Sequence, residues 1–295
     1  AIPCETEPPR YILQMLQLLI DYAIPANLLI LMFIAGTQIT VEDFRALRRS
    51  PSPVFVGALG QLALIPLIAL AIINAIEVNS TIALGILILS LCPGGVISNT
   101  YAFLARCNVL LAAMIASIGT VASLATIPLW LRVLPLMPGV HELQSAPAST
   151  ILGQLLAYMV LPLGLGILAR YRAASFIERV ALSLRRVSTV LIVMILVTAL
   201  TTVGPMLADF ATEIATAAVL FILSAMLLGS MLGLRMNRRD APVLVIESGV
   251  RNVGVALLLG SAILTGQDFA LFASFLTGYF VVEIIIMLTY ARVLA

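Results

Sequence analysis

The sequence predicts an all-α polytopic membrane protein of about nine transmembrane helices, organised as inverted-topology repeats that each carry one broken helix. Three observations predict it. The 295-residue chain is 62% hydrophobic and 10% charged, with a mean hydropathy of +1.15, whereas soluble domains carry about 25% charged residues. Arginines crowd alternate connectors along the chain. Two apolar windows, Leu91 to Asn99 and Glu247 to Gly254, are interrupted by helix breakers and polar groups.

A bilayer-spanning helix needs about 20 apolar residues. Windows of that kind fall at 12–39, 53–76, 80–104, 108–134, 149–170, 184–205, 213–235, 241–265 and 269–292. The first is long and contains Pro25, so residues 1–23 read as a polar, Pro-rich segment with a surface helix, and the true span starts near Ile24. The opening residues do not have the pattern of a signal peptide, and the start at Ala1 suggests that a few residues have been removed. Short connectors leave no room for a separate soluble domain.

The net charge of +2 decides nothing, but its placement does. Arg45, Arg48 and Arg49 follow span one, Arg106 follows three, and Arg170, Arg172, Arg179, Arg185 and Arg186 follow five. Arg235, Arg238 and Arg239 follow seven, and Arg292 follows nine. The other face holds Arg10, Arg132 and most of the connector acids, among them Glu77, Asp209, Glu213 and Asp268. The positive-inside rule therefore places the N-terminus outside and the C-terminus in the cytoplasm. All 16 basic residues are Arg, which we read as compositional bias. Three cysteines make no disulfide framework, and Cys92 and Cys107 read as buried free thiols.

The breaks lie in spans three and eight. An offset of five spans makes the two segments cross in opposite directions, as inverted repeats require. Residues 24–139 then form a first, incomplete repeat and residues 140–295 a second. Pro93 removes a backbone donor, while Gly94 and Gly95 lack a Cβ, so the helix can stop there. Ser98 and Asn99 add neutral oxygens; in the second break Gly249 and Gly254 bracket Arg251 and Asn252, and Glu247 supplies a carboxylate. A kinked packing helix would account for the glycines but not for an acid, an Arg and an Asn so close together. Paired interruptions of this kind mark the binding site of secondary transporters.

At these residues the chain resembles the bile acid:sodium symporter family. The resemblance is carried by Cys92-Pro93-Gly94-Gly95 with Ser98-Asn99, by Leu104-Ala105-Arg106 and Asn108, and by Glu247 through Asn252. Met32-Phe33, Glu42-Asp43-Phe44, Gly60-Gln61 and Pro66 extend it, so it runs from about Ile24 to the end. It implies a panel domain and a core domain, with the two broken helices crossing at ion sites, in a nine-span form of a bacterial homologue in the inner (plasma) membrane. It also implies two sodium sites, which this chain matches only in part. For the first, Ser98, Asn99 and Glu247 match, but the expected Ser and Thr are Ala112 and Ala116; Ser117 and Thr120 read as lying on other helical faces. For the second, Gln61 and Glu247 match, but the Gln expected one turn after the acid is Arg251. A guanidinium cannot coordinate a cation and would occupy the place of the second sodium. A lone charge at the bilayer centre costs roughly 3 kcal/mol or more, so Glu247 and Arg251 are expected to be in contact, as an ion pair if a helical turn joins them, or to share a polar partner. Arg251 is then either a structural counter-ion or also a holder of a substrate carboxylate.

Glu283, flanked by Val282 and Ile284, is an intramembrane acid and reads as a proton carrier, as cavity lining, or as a protonated acid packed between helices. His141 reads as solvated, Trp130 and Tyr290 as interfacial anchors, and Asn74 and Asn79 as caps or loop residues. No phosphate-binding loop, metal-ligand cluster or nucleophile–base pair occurs in the sequence, so catalysis is not expected. The resemblance implies a secondary active transporter of a small or amphipathic organic anion. Its partners are that anion and membrane lipid, not nucleic acid; sodium, the one ion the resemblance offers as cofactor, is expected to be weakly coupled or lost. The competing reading is a non-transporting binding or sensor protein that keeps the fold.

Overall fold

The computed structural model describes Leu18 and residues 22–39, 51–95, 97–134 and 148–295. Arg10, Arg45, Arg48, Arg49, the Glu42-Asp43-Phe44 motif, His141 and most of the segment 1–23 lie outside the described residues. Among the described residues all regular structure is helical. The helices are α1 (Ile24–Gln38), α2 (Pro51–Ala75), α3 (Ser80–Leu91), α4 (Ile97–Leu104), α5 (Val109–Val133) and α6 (Ser149–Arg172). Then follow α7 (Ala174–Asp209), α8 (Ala211–Gly233), α9 (Ala241–Gly249), α10 (Val253–Ser261) and α11 (Gly266–Leu294).

Six units are long and apolar enough to cross a membrane: α2, α5, α6, α8, the α9–α10 pair and α11. The chain is an integral membrane protein. Each of the nine apolar windows contains helix, but α1 and α3 are shorter apolar helices and α7 is not among the six units, so nine crossings are not established by length and composition alone.

Proline sets the local irregularities. Both α2 and α6 widen into a π turn, Gly60–Leu64 and Leu156–Val160, just ahead of Pro66 and Pro162. Pro66 has no N–H for the Leu62 carbonyl one turn back, and a freed carbonyl inside a membrane needs another donor. Trp130 supplies it, its indole N–H donating to Leu62 O at 2.7 Å. Trp130, expected as an interfacial anchor, thus has its donor committed to another helix. The π turn also carries Gln61, which is fully buried.

Glycines let backbones touch where elements must be held together. A Cβ on Gly36 would lie 2.1 Å from the Leu163 carbonyl, and one on Gly229 would lie 2.4 Å from that of Leu244. The first contact locks α1 to α6. The second locks α8 to α9, the helix that carries Glu247.

Candidate functional site

Both interrupted windows leave the helix. After Leu91, Cys92 turns extended (φ −73°, ψ 141°), and the chain is helical again from Ile97. After Gly249, Val250 is extended (φ −93°, ψ 130°), and α10 begins at Val253 behind Asn252, whose Oδ1 accepts the Val255 N–H at 3.1 Å. The second break is therefore Val250 to Asn252, and Gly254 sits in the first turn of α10 rather than in the break. The breaks touch: the Asn252 N–H donates to the Pro93 carbonyl at 3.0 Å. Two backbone groups with no helical partner thereby satisfy each other.

A buried polar cluster surrounds this contact. The Glu247 carboxylate accepts from Ser98 Oγ at 2.5 Å and from Gln61 Nε2 at 2.9 Å. Gln61 Oε1 accepts the Gly94 N–H at 3.2 Å, tying α2 to the first break. A Cβ on Gly94 would lie 2.7 Å from Glu247 Oε2. Glycine is needed there for close approach to the carboxylate.

Arg251, 1% exposed, contacts Glu247 as expected, but through the backbone carbonyl rather than as an ion pair with the carboxylate. Its Nη2 donates to the backbone carbonyls of Glu247 (2.6 Å) and Ser248 (2.7 Å), and its Nη1 to Cys92 O (3.1 Å). The helix ends at Gly249, so Arg251 lies beyond it on non-helical backbone, and its side chain folds back over the last turn of α9. Those carbonyls belong to the C-terminal ends of α9 and α3, where aligned peptide dipoles leave partial negative charge. One guanidinium compensates both ends.

The N-terminal ends of α4 and α10 face the other way. Gly95, Ile97, Asn99, Asn252 and Gly254 help line a cavity of about 840 Å³ whose wall is otherwise mostly aliphatic and aromatic. Positive helix ends facing a largely apolar cavity suit an anion with an apolar body. Asn99 is half-buried; its Nδ2 donates to Gln38 Oε1 at 3.4 Å, while its Oδ1 accepts from no donor among the described residues. Arg251 also reaches this wall.

The residues do not fit the second sodium site, because a guanidinium already donates into the carbonyls that would ligate the ion. For the first site, Ala112 and Ala116 offer no side-chain oxygen. Ser117 and Thr120, expected on other helical faces, instead share a void of about 10 Å³ with Ala116, Asn99 and Gly94. The Thr120 hydroxyl donates to Ala116 O at 2.8 Å. Glu283 is fully buried; it is not among the residues lining the cavity, although Phe280 and Ile284 beside it are, and Arg251, Tyr279 and Tyr101 face its carboxyl group. Tyr279 donates its hydroxyl to Gly249 O at 2.9 Å.

Sequence reasoning missed Asn27, Gln38, Arg185 and Thr277 in the cavity wall. Asn27 and Thr277 carried a usable signal, being polar inside apolar windows. Arg185 read only as a connector charge.

The sequence profile of the Sodium Bile acid symporter family matches residues 25–210. The chain is 29% identical over 150 residues to a chloroplastic protein of Oryza sativa named as a probable sodium/metabolite cotransporter, covering 51% of this chain and 35% of that one. It is 32% identical over 115 residues to an uncharacterized sodium-dependent transporter of Bacillus subtilis, covering 37% and 36%. A sodium-dependent organic anion transporter of Bos taurus is 31% identical over 143 residues, covering 48% and 38%. The chain thus spans little more than a third of the length of these relatives.

Proposed function

The chain belongs to the Sodium Bile acid symporter family, and from that premise we propose that it is a secondary active transporter of a small or amphipathic organic anion. It works by alternating access, a panel domain moving against a core domain that contains the crossed breaks. The observation that carries the proposal is the pair of touching breaks, Asn252 N–H to Pro93 O at 3.0 Å, with the N-terminal ends of α4 and α10 lining the cavity of about 840 Å³. Anion carboxylate or sulfonate groups sit near Asn99, Asn252 and those helix ends, and the apolar body lies along the aliphatic wall. Nothing in this reading calls for an enzyme.

The proposal includes nine crossings, with residues 24–139 and 140–295 as inverted repeats, the N-terminus outside and the C-terminus in the cytoplasm of a bacterial inner membrane. Sodium coupling is weakened or lost. The Arg251 guanidinium holds the carbonyls at the C-terminal ends of α3 and α9, a fixed cation in place of a dissociable one. Glu247 or Glu283 is the group available to carry a proton instead.

Counterflow tests the transport claim. Proteoliposomes preloaded with an unlabelled organic anion should accumulate the same labelled anion transiently, and the Asn252→Ala variant should accumulate less. Saturable binding without counterflow would favour the alternative, a sensor that keeps the fold.

A further inference from the structure

The α4–α5 and α8–α9 connectors meet at one end of the bundle around a cavity of about 760 Å³. Arg106, Arg238 and Arg239 line it, with Asn108, Asn237 and Asp240. The connectors are bonded to each other. The Asn108 N–H donates to the Arg239 carbonyl at 3.1 Å, and Asn108 Nδ2 donates to Asp240 Oδ1 at 2.7 Å. Asn237 Nδ2 donates to Asp240 Oδ2 at 2.6 Å. The one carboxylate in the wall is thus engaged by two neutral amides. Among the described residues no carboxylate forms an ion pair with any of the three guanidinium groups.

Arginines that only set topology act by their number near span ends and need no shared cavity. Here three converge from two connectors, and two helices start at the same place, α5 behind Asn108 and α9 behind Asp240. Helix starts add partial positive charge and favour an anion. Leu110, in the first turn of α5, and Leu234, just after α8, are 43% and 80% exposed, so exposed apolar surface adjoins the arginines.

We infer that this cavity binds a phosphate group, supplied either by the headgroup of an anionic phospholipid or by a free phosphate. Arginine forks match phosphate oxygens in bidentate fashion and bind them more strongly than neutral donors do. A phosphate bridging the two connectors would hold the start of α9, the helix carrying Glu247, against the start of α5. The inference rests on this cavity and does not depend on the transport reading.

The test compares the wild type with Arg106→Gln/Arg238→Gln/Arg239→Gln and with a control of equal charge loss, Arg172→Gln/Arg179→Gln/Arg186→Gln. Phosphatidylglycerol retention is measured by native mass spectrometry, and thermal midpoints are measured in phosphatidylcholine nanodiscs with and without phosphatidylglycerol. A detergent arm titrates inorganic phosphate against chloride at fixed ionic strength. Apparent affinity should fall by at least about tenfold in the first triple variant and stay near wild type in the control. A response confined to nanodiscs assigns the source to lipid, and one also seen with inorganic phosphate assigns it to free phosphate. If both triple variants fall alike, or the wild type responds to neither probe, the inference is overturned. Should the triple variant fail to fold, Arg238→Gln alone carries the comparison, with an expected loss of a few fold.

Discussion

The guanidinium of Arg251 donates to the Cys92 carbonyl at 3.1 Å, joining a residue of the second break to the C-cap of the helix that ends at the first. The same side chain caps α9 through Glu247 O and Ser248 O. One cation therefore compensates two helix ends that would otherwise face each other with like partial charge.

Replacing Arg251 by Gln should free that position. The shorter amide can offer its oxygen to a cation while losing most of the three carbonyl bonds. Thermal midpoints of the variant should rise with sodium against choline, whereas the wild type shows little difference. Arg251→Met, which strands the carbonyls without adding an oxygen, should be destabilised by at least about 1–3 kcal/mol and gain no sodium response.

Gly94→Ala should damage the site while leaving the bundle intact. The added methyl would meet Glu247 Oε2 at 2.7 Å and Gln61 Nε2 at 3.2 Å, pushing apart the first break and the carboxylate. Overpacking of this sort costs about 1–3 kcal/mol. Counterflow should fall well below wild type with helix content by circular dichroism unchanged.

Trp130→Phe keeps the aromatic volume but leaves the Leu62 carbonyl without its donor. A buried acceptor stranded in this way costs about 1–3 kcal/mol, so the thermal midpoint should drop. Trp130→Leu should drop it further by adding a cavity. A midpoint equal to wild type for Trp130→Phe would show that the π turn satisfies itself.

The wall of the large cavity gives a graded test of anion recognition. Asn99→Ala removes an amide whose Oδ1 has no partner among the described residues, so folding should change little. Asn252→Ala removes the cap of α10 as well, costing about 1 kcal/mol of stability. Both should weaken labelled-anion binding, with only the second lowering the midpoint.

The apolar windows and both breaks were readable because Pro93, the glycines and the polar residues beside them stand out against long apolar runs. What misled was the assumption that helical spacing continues through a break. Helical spacing places Glu247 and Arg251 one turn apart, but α9 ends between them, and the guanidinium meets carbonyls rather than the carboxylate. Helix α5 shows a different error. Ala116, Ser117 and Thr120 are spaced three or four apart, or adjacent at the edge of one face, and all border the same small void. The contacts of Trp130 and the placement of Arg185 depend on partners distant in sequence, which periodicity alone does not encode.

Anion uptake into proteoliposomes, with an inward sodium gradient against a choline gradient at matched pH, tests most directly the claim that Arg251 stands in for a dissociable cation. The account predicts uptake that differs little between the two gradients, because several kcal/mol of repulsion at low dielectric oppose a second cation beside the guanidinium. A stimulation by sodium of about tenfold, equivalent to about 1.4 kcal/mol of coupling, would contradict it and show that Asn99, Ser117 and Thr120 complete a sodium site despite Ala112 and Ala116.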